Sequence, residues 1–178
     1  MLSKDDIENY LEQLADGLKQ EGLQGEIILC GGAVMALAYD ARPTTKDIDG
    51  LFSPAAQLRK IAADIARREG LNDNWLNDGA KAFLDTQRMT FTTVRTYDNL
   101  TVKMPDAEGM LALKLCSARE DSLDMDDAIV LMEQVGVQSE DELLEIMEKN
   151  IHPSRLTPLS FYFALEAFKR FNAEQGQS

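Results

Sequence analysis

The first part of the chain alternates between helical and strand-like spacing of its apolar residues. Ser3 and Asp6 match a capping box, and the apolar positions behind them recur every three or four residues, which predicts a helix that ends near Gly22. Residues 26–30 (EIILC) are short, apolar and flanked by glycine, which predicts a buried strand. A Gly-Gly turn then leads to residues 33–40, whose pattern predicts a helix. The predicted order is therefore helix, strand, glycine turn, helix.

A second strand, a loop and a hairpin follow. Residues 46–52 (KDIDGLF) alternate polar and apolar side chains, which predicts a strand, and the adjoining Ser53-Pro54 predicts the start of a helix. Residues 72–81 are polar and predict a loop around the only tryptophan. Residues 91–104 hold two strand-like segments, FTTVRTY and NLTVKM, which predict a β-hairpin.

The remainder of the chain has the spacing of helices alone. The aromatic residues of 160–171 recur at helical intervals, which is typical of a packing face. We therefore expect an α+β (mixed α/β) fold. A small mixed β-sheet core flanked by helices would occupy residues 1–104, and a C-terminal helical region at 105–178 would pack on it.

The charge and hydropathy of the chain argue against nucleic-acid and membrane partners. The net charge is −13, and residues 120–149 alone hold eleven acids and one base. Such an acidic surface disfavours nucleic acid as a partner, because phosphate contacts need basic residues; only residues 81–119 carry a small basic excess. No apolar stretch is long enough to span a membrane, and the N-terminus lacks the features of a signal peptide. We expect a cytoplasmic protein with no membrane association.

The cysteines and the lone histidine predict no site of their own. Cys30 and Cys116 lie in apolar segments without metal-ligand spacing, which is typical of buried free thiols in a reducing compartment. His152 is the only histidine, which argues against a catalytic triad or a site with several histidine ligands.

One pair of acidic residues suggests a metal-binding site. Asp47 and Asp49 are two positions apart on a predicted strand, so both carboxylates should point to the same face. Two such carboxylates repel each other unless a cation lies between them, and Mg²⁺ or Mn²⁺ fits their oxygen ligands. A metal ion there could also bind the phosphates of a nucleotide.

The preceding Gly31-Gly32 turn strengthens this interpretation. Glycines permit close approach of a ligand to the backbone, and amides at a helix start attract phosphate. Taken singly, the glycines are typical of a tight turn and the aspartates of an exposed surface. Their conjunction, with fourteen residues between them, favours a site at which Gly31, Gly32, Thr45 and Lys46 contact a nucleotide beside Asp47 and Asp49.

The segment ILCGGAVMALAYDARPTTKDID resembles the signature of the nucleotidyltransferase (polymerase beta-like) superfamily, and in particular bacterial abortive-infection toxins and related uncharacterised proteins. Two weaker similarities are WLND at 75–78 and the helical segment with Lys114, Arg119, Asp124 and Asp127. The resemblance covers about residues 26–132. It implies that Asp47 and Asp49 bind metal as catalytic residues, that the glycines contact an NTP substrate, and that Lys114 contacts phosphate.

The chain departs from this pattern in one respect. Active members usually supply a third carboxylate from a later strand, whereas the matching segment here, residues 100–104, offers Lys103; Asp85 and Asp106 are alternatives. Three hypotheses remain. The first is a metal-dependent transferase of NMP from NTP to an unknown acceptor, serving in phage defence or a toxin–antitoxin pair with a cognate antitoxin. The second is an inactive binding or regulatory module of the same fold. The third is an interaction protein whose acidic helices bind a basic partner.

Overall fold

The computed structural model describes residues 1–117 and 122–176, which form two compact units. The first unit comprises Met1–Lys81 and Phe91–Met104, and the second comprises Ala82–Thr90 together with the chain that begins at Pro105. The amide of Asp106 donates to the carbonyl of Thr90 at 2.9 Å, within the second unit. The sequence prediction placed all of residues 1–104 in one domain. The structure instead assigns the segment Ala82–Thr90 to the second unit.

Helices and short strands alternate through the first half of the chain. In order they are β1 (Leu2–Ser3), α1 (Lys4–Gln20), β2 (Gly25–Cys30), α2 (Gly31–Leu37), β3 (Thr44–Thr45), β4 (Ile48–Ser53), α3 (Ala55–Glu69), β5 (Leu76–Asn77), a 3-10 helix (Gly79–Ala82), β6 (Phe91–Tyr97) and β7 (Leu100–Pro105).

A five-stranded mixed sheet forms the first unit, with strand order β5-β4-β2-β7-β6. Strand β2 pairs antiparallel with β4 and parallel with β7, and β4 pairs parallel with β5. The short strands β1 and β3 form a separate two-stranded sheet. The predicted α+β class, with a small mixed sheet among helices, is confirmed.

The two faces of the sheet differ in polarity because side chains alternate along each strand. Ile27 and Leu29 of β2 are fully buried on one face. On that side, helix α3 contacts β4 and packs against α1. Glu26 of β2 alternates with Ile27, and Lys103 of β7 pairs in register with Ile28, so both side chains lie on the other face. There they form an ion pair. The face opposite Ile27 and Leu29 thus carries this ion pair together with the buried side chains of Ile28 and Cys30.

Local patterns predicted most of the longer elements, but not the two-residue strands β1 and β3. Other elements differ in their bounds. Helix α2 begins at Gly31 and ends at Leu37, rather than spanning 33–40, and the chain soon reaches a positive φ of 54° at Asp40. Strand β4 begins at Ile48 rather than at residue 46. Residues 72–81 were expected to be a loop or turn; residues 72–75 are, whereas β5 and a 3-10 helix occupy the rest except residue 78. Two residues carry too little periodicity to predict a strand that forms by pairing with β4.

The second unit is helical. Its elements are α4 (Ala107–Ser117), α5 (Ser122–Val135), α6 (Glu140–Asn150), a 3-10 helix (Pro153–Arg155) and α7 (Pro158–Gln175). Helix α4 contacts each of the other three helices, which is why its residues from Gly109 to Leu115 are buried all round. The helices predicted after Pro105 are confirmed. Within the described ranges, no helix has both the length and the apolar character needed to cross a bilayer.

Candidate functional site

Strand pairing places Asp49 between two other strand ends. Asp49 is the second residue of β4 and pairs with Cys30, the last residue of β2, on one side. On the other side it pairs with Asn77, the last residue of β5. Cross-strand neighbours point to the same face, so Asp49 lies on the face of the sheet that also carries Glu26. Asp47 lies directly before β4, two positions from Asp49.

Glycine backbone surrounds the Asp49 carboxylate. Gly31 has a φ of +66°, and a Cβ built there would lie 3.2 Å from Oδ2 of Asp49. A Cβ on Gly79 would lie 3.6 Å from the other carboxylate oxygen, Oδ1. The glycine turn and Asp49 are therefore in close contact, and no β-carbon separates this carboxylate from the backbone at either position.

The second glycine of the turn packs against Thr45. A Cβ on Gly32 would lie 2.5 Å from the Thr45 hydroxyl oxygen and 3.4 Å from a terminal nitrogen of Arg42. Thr45 is only 5% exposed, and its hydroxyl donates to the carbonyl of Asp47 at 3.3 Å. In this structure Thr45 therefore joins the glycine turn to the backbone of Asp47. Its direct contact with a nucleotide stays a prediction.

Asn77 connects the neighbourhoods of the two aspartates. Its amide nitrogen donates to Oδ2 of Asp47 at 3.4 Å, and its amide oxygen accepts the Gly79 N–H at 2.9 Å. Pairing in register with Asp49 sets its position on the sheet. The sequence reasoning assigned no role to Asn77, because it lay in a predicted loop. The step from apolar Leu76 to polar Asn77, which repeats the step from Ile48 to Asp49, was the signal that could have found it.

Trp75 anchors this third strand. Its carbonyl accepts the Ile48 N–H at 2.6 Å, and its indole nitrogen donates to the carbonyl of Ala62 on α3 at 3.0 Å. The ring, 1% exposed, also packs against Tyr10 of α1 with centroids 5.3 Å apart. A buried aromatic with a satisfied N–H holds its backbone firmly, so the position of Asn77 is fixed by the core beneath it.

Positively charged side chains also lie near the site. Arg42 lies against Gly32. Lys46 is exposed and directly precedes Asp47. Oxygen ligands from two aspartates suit a hard divalent ion such as Mg²⁺, and phosphate oxygens of a nucleotide could complete its coordination. The described part of the chain holds no group of three or more His, Cys, Asp or Glu side chains arranged to bind a metal ion.

Lys103, which stands at the position of the third acid, and the two alternative acids all have local partners. Lys103 on β7 pairs with Glu26, with 2.6 Å between nitrogen and oxygen. Asp85 accepts the Gln87 N–H at 3.0 Å and pairs with Arg88 at 3.3 Å. Asp106 accepts the amide of Gly109 at 2.8 Å, at the start of α4. Asp85 and Asp106 both belong to the second unit.

Lys114 lies buried within the second unit. Its ammonium pairs with Asp124 at 2.9 Å and with Asp127 at 2.7 Å, and the Lys114 side chain is 7% exposed. A phosphate contact would have to replace one of these ion pairs, so the nucleotide-binding role implied for Lys114 stays a prediction. Arg119, the remaining member of that motif, lies outside the described residues.

The site therefore consists of Asp47 and Asp49 with the glycine turn and Asn77, all in the first unit. The chain was also compared with known proteins. No protein-family model matches it, and neither the curated proteins nor the solved structures gave a match. The functional conclusion must accordingly come from the site itself and from the resemblance of its motif.

Proposed function

We propose that the protein is a divalent-metal-dependent nucleotidyltransferase, which moves a nucleoside monophosphate from an NTP to an acceptor. The observation that carries this proposal is the proximity of the Asp49 carboxylate to Gly31, where an added β-carbon would lie 3.2 Å from Oδ2. A carboxylate pair beside a glycine turn can bind a metal and a phosphate chain side by side. The similarity of the motif to nucleotidyltransferases supports the same conclusion.

Each residue has a distinct task in this proposal. Mg²⁺ or Mn²⁺ bound by Asp47 and Asp49 would offset the charge of the phosphates. Gly31 and Gly32 would bring backbone amides to the phosphate chain. A β-carbon at Gly31 would crowd the Asp49 carboxylate, and one at Gly32 would crowd the Thr45 hydroxyl. Lys46, which is exposed, can reach a phosphate oxygen, and Asn77 holds the side chain of Asp47 in place.

The chemical step is displacement at the α-phosphorus. An acceptor oxygen forms a bond to that phosphorus, the bond to the bridging oxygen of the β-phosphate breaks, and pyrophosphate leaves with the electron pair. The acceptor loses its proton to a base, for which either aspartate oxygen not bound to metal is available. The resemblance to abortive-infection toxins further suggests a role in a toxin–antitoxin pair, with a cognate antitoxin as partner and the cytoplasm as location.

One observation favours a second candidate. The segment that matches the strand of the third carboxylate carries Lys103 instead, and Lys103 pairs with Glu26. With two carboxylates, the protein could bind a metal–nucleotide complex without transferring it. This alternative is an inactive binding or regulatory module that uses the same site.

A labelling assay separates these functions. The protein is mixed with each α-labelled NTP, Mg²⁺ or Mn²⁺, and cell lysate as the source of acceptors. Wild type and Asp98→Asn should transfer label, because Asp98 is an exposed acid that pairs with Lys19. Asp49→Asn should transfer none.

The other outcomes are equally informative. Nucleotide binding without labelling by the wild type would favour the inactive module over the enzyme. Equal labelling by Asp49→Asn and wild type would contradict the proposed metal ligand. A folding check by circular dichroism excludes simple loss of structure in the variant.

A further inference from the structure

A cavity in the second unit lies among residues that the proposed function does not use. It has a volume of about 310 Å³ and is lined by the segment Ala82–Gln87 and by three residues around the second 3-10 helix, His152, Ser154 and Arg155. We call it the 82/155 pocket. Its volume is at the lower end of the range for small-molecule sites.

Arg155 gives the pocket a cation that lies beside an aromatic ring. Its guanidinium lies over the ring of Phe83, 5.7 Å from the ring centroid. No carboxylate pairs with Arg155 in the part of the chain that the structure describes, although most exposed arginines there do form ion pairs. A planar cation stacked on an aromatic ring keeps its N–H donors available for an anion.

His152 and Ser154 add hydrogen-bond donors. The Ser154 N–H donates to Nδ1 of His152 at 3.2 Å, so in the neutral ring the proton lies on Nε2. The Ser154 hydroxyl is 2.8 Å from the same Nδ1. The His152 ring is thereby oriented by its own turn, with its N–H on the opposite edge. Thr86 and Gln87 bring further polar side chains to the lining.

Asp85, the acid in the pocket lining, already has hydrogen-bond and ion-pair partners. The carboxylate of Asp85 accepts the Gln87 N–H and pairs with Arg88 at 3.3 Å. The pocket therefore combines an arginine that pairs with no carboxylate of the described residues, a histidine N–H and an acid paired with Arg88, in a protein whose net charge is −13. An anion that is repelled elsewhere on the surface would find donors here.

We propose that the 82/155 pocket binds the phosphate group of a small phosphorylated metabolite. Two N–H groups of Arg155 match two phosphate oxygens, and the Nε2–H of His152 donates to a third. The remaining volume leaves space for a short organic group beside Thr86 and Gln87. This site shares no residue with the Asp47/Asp49 site, and it does not depend on the proposed transferase activity.

Calorimetry on the full chain tests the proposal, with EDTA present and no nucleotide added. Inorganic phosphate should bind with saturation to the wild type. Arg155→Gln should weaken binding by about tenfold or more, since it removes a charge-assisted, two-pronged hydrogen bond. Arg170→Gln is the matched control, because Arg170 is exposed in the same unit but pairs with Asp126. It should bind phosphate like the wild type.

Three results would overturn the proposal. The first is the absence of saturable phosphate binding by the wild type, and the second is unchanged binding by a folded Arg155→Gln variant. The third is loss of phosphate binding in Asp49→Asn, which would show that phosphate binds at the Asp47/Asp49 site instead. Glycerol 3-phosphate should compete with inorganic phosphate. Failure to compete would contradict the assignment of an ester ligand.

Discussion

Substitution of Gly31 by alanine tests the contact on which the candidate site depends. Gly31 has a φ of +66°, in the left-handed region, and its added β-carbon would lie 3.2 Å from Oδ2 of Asp49. The change therefore has two effects: strain in the backbone and displacement of the carboxylate. Gly70→Ala separates them, because Gly70 has a φ of +69° and nothing within 4 Å of the corresponding position.

The magnitudes follow from these two geometries. A left-handed alanine costs about 1–2 kcal/mol, so both variants should lose about that much stability. Only Gly31→Ala requires the Asp49 carboxylate to move by a few tenths of an ångström, which is comparable to the tolerance of a metal–oxygen distance. We expect its affinity for Mg²⁺-NTP to fall by about tenfold, or ~1.4 kcal/mol.

Urea unfolding and calorimetry with a non-hydrolysable NTP measure the two quantities separately. Gly70→Ala should lose stability while keeping the affinity of the wild type. If folded Gly31→Ala also keeps that affinity, the contact between glycine and carboxylate has no part in binding, and the reasoning is refuted.

Two further predictions concern the second unit. Lys114→Met should lower the free energy of unfolding by about 3–5 kcal/mol, because it removes the buried ammonium that pairs with Asp127. Urea unfolding measures this loss, and a loss below about 1 kcal/mol would contradict the prediction. Burial raises the pKa of the Cys116 thiol to about 11, despite a hydrogen bond with Ser160 that lowers it. Alkylation of Cys116 at pH 8 should therefore be about a hundredfold slower in the native than in the unfolded protein. The rate in the native protein should rise as the pH approaches that pKa. Similar rates in the two states would contradict the effect of burial.

Local patterns predicted the parts of the fold that depend on local sequence. Strand β2 is a short apolar run between glycines, and the β6–β7 hairpin has two strand-like segments around a short turn, so neither needed information from distant residues. The proximity of Gly31 to Asp49 was also predictable in outline. A turn at the end of one strand and acids at the start of its antiparallel neighbour meet at the same edge of a sheet.

Other features depend on pairing that no single segment encodes. Strand β5 is two residues long and forms because Trp75 is anchored in the core while its carbonyl bonds Ile48. Asn77 consequently reaches Asp47 from a segment that looked like a loop. The ion pair between Lys114 and Asp127 joins two different helices. The helical spacing within each segment therefore did not predict that the two side chains meet.

The most direct test of the central claim measures how Mg²⁺ changes nucleotide affinity. Calorimetry would follow binding of a non-hydrolysable NTP to wild type and Asp49→Asn, with and without the metal. If Asp47 and Asp49 hold a metal that also binds the phosphates, Mg²⁺ should raise the affinity of the wild type by about tenfold or more and have little effect on the variant. Equal NTP affinity of the wild type with and without Mg²⁺ would contradict the account.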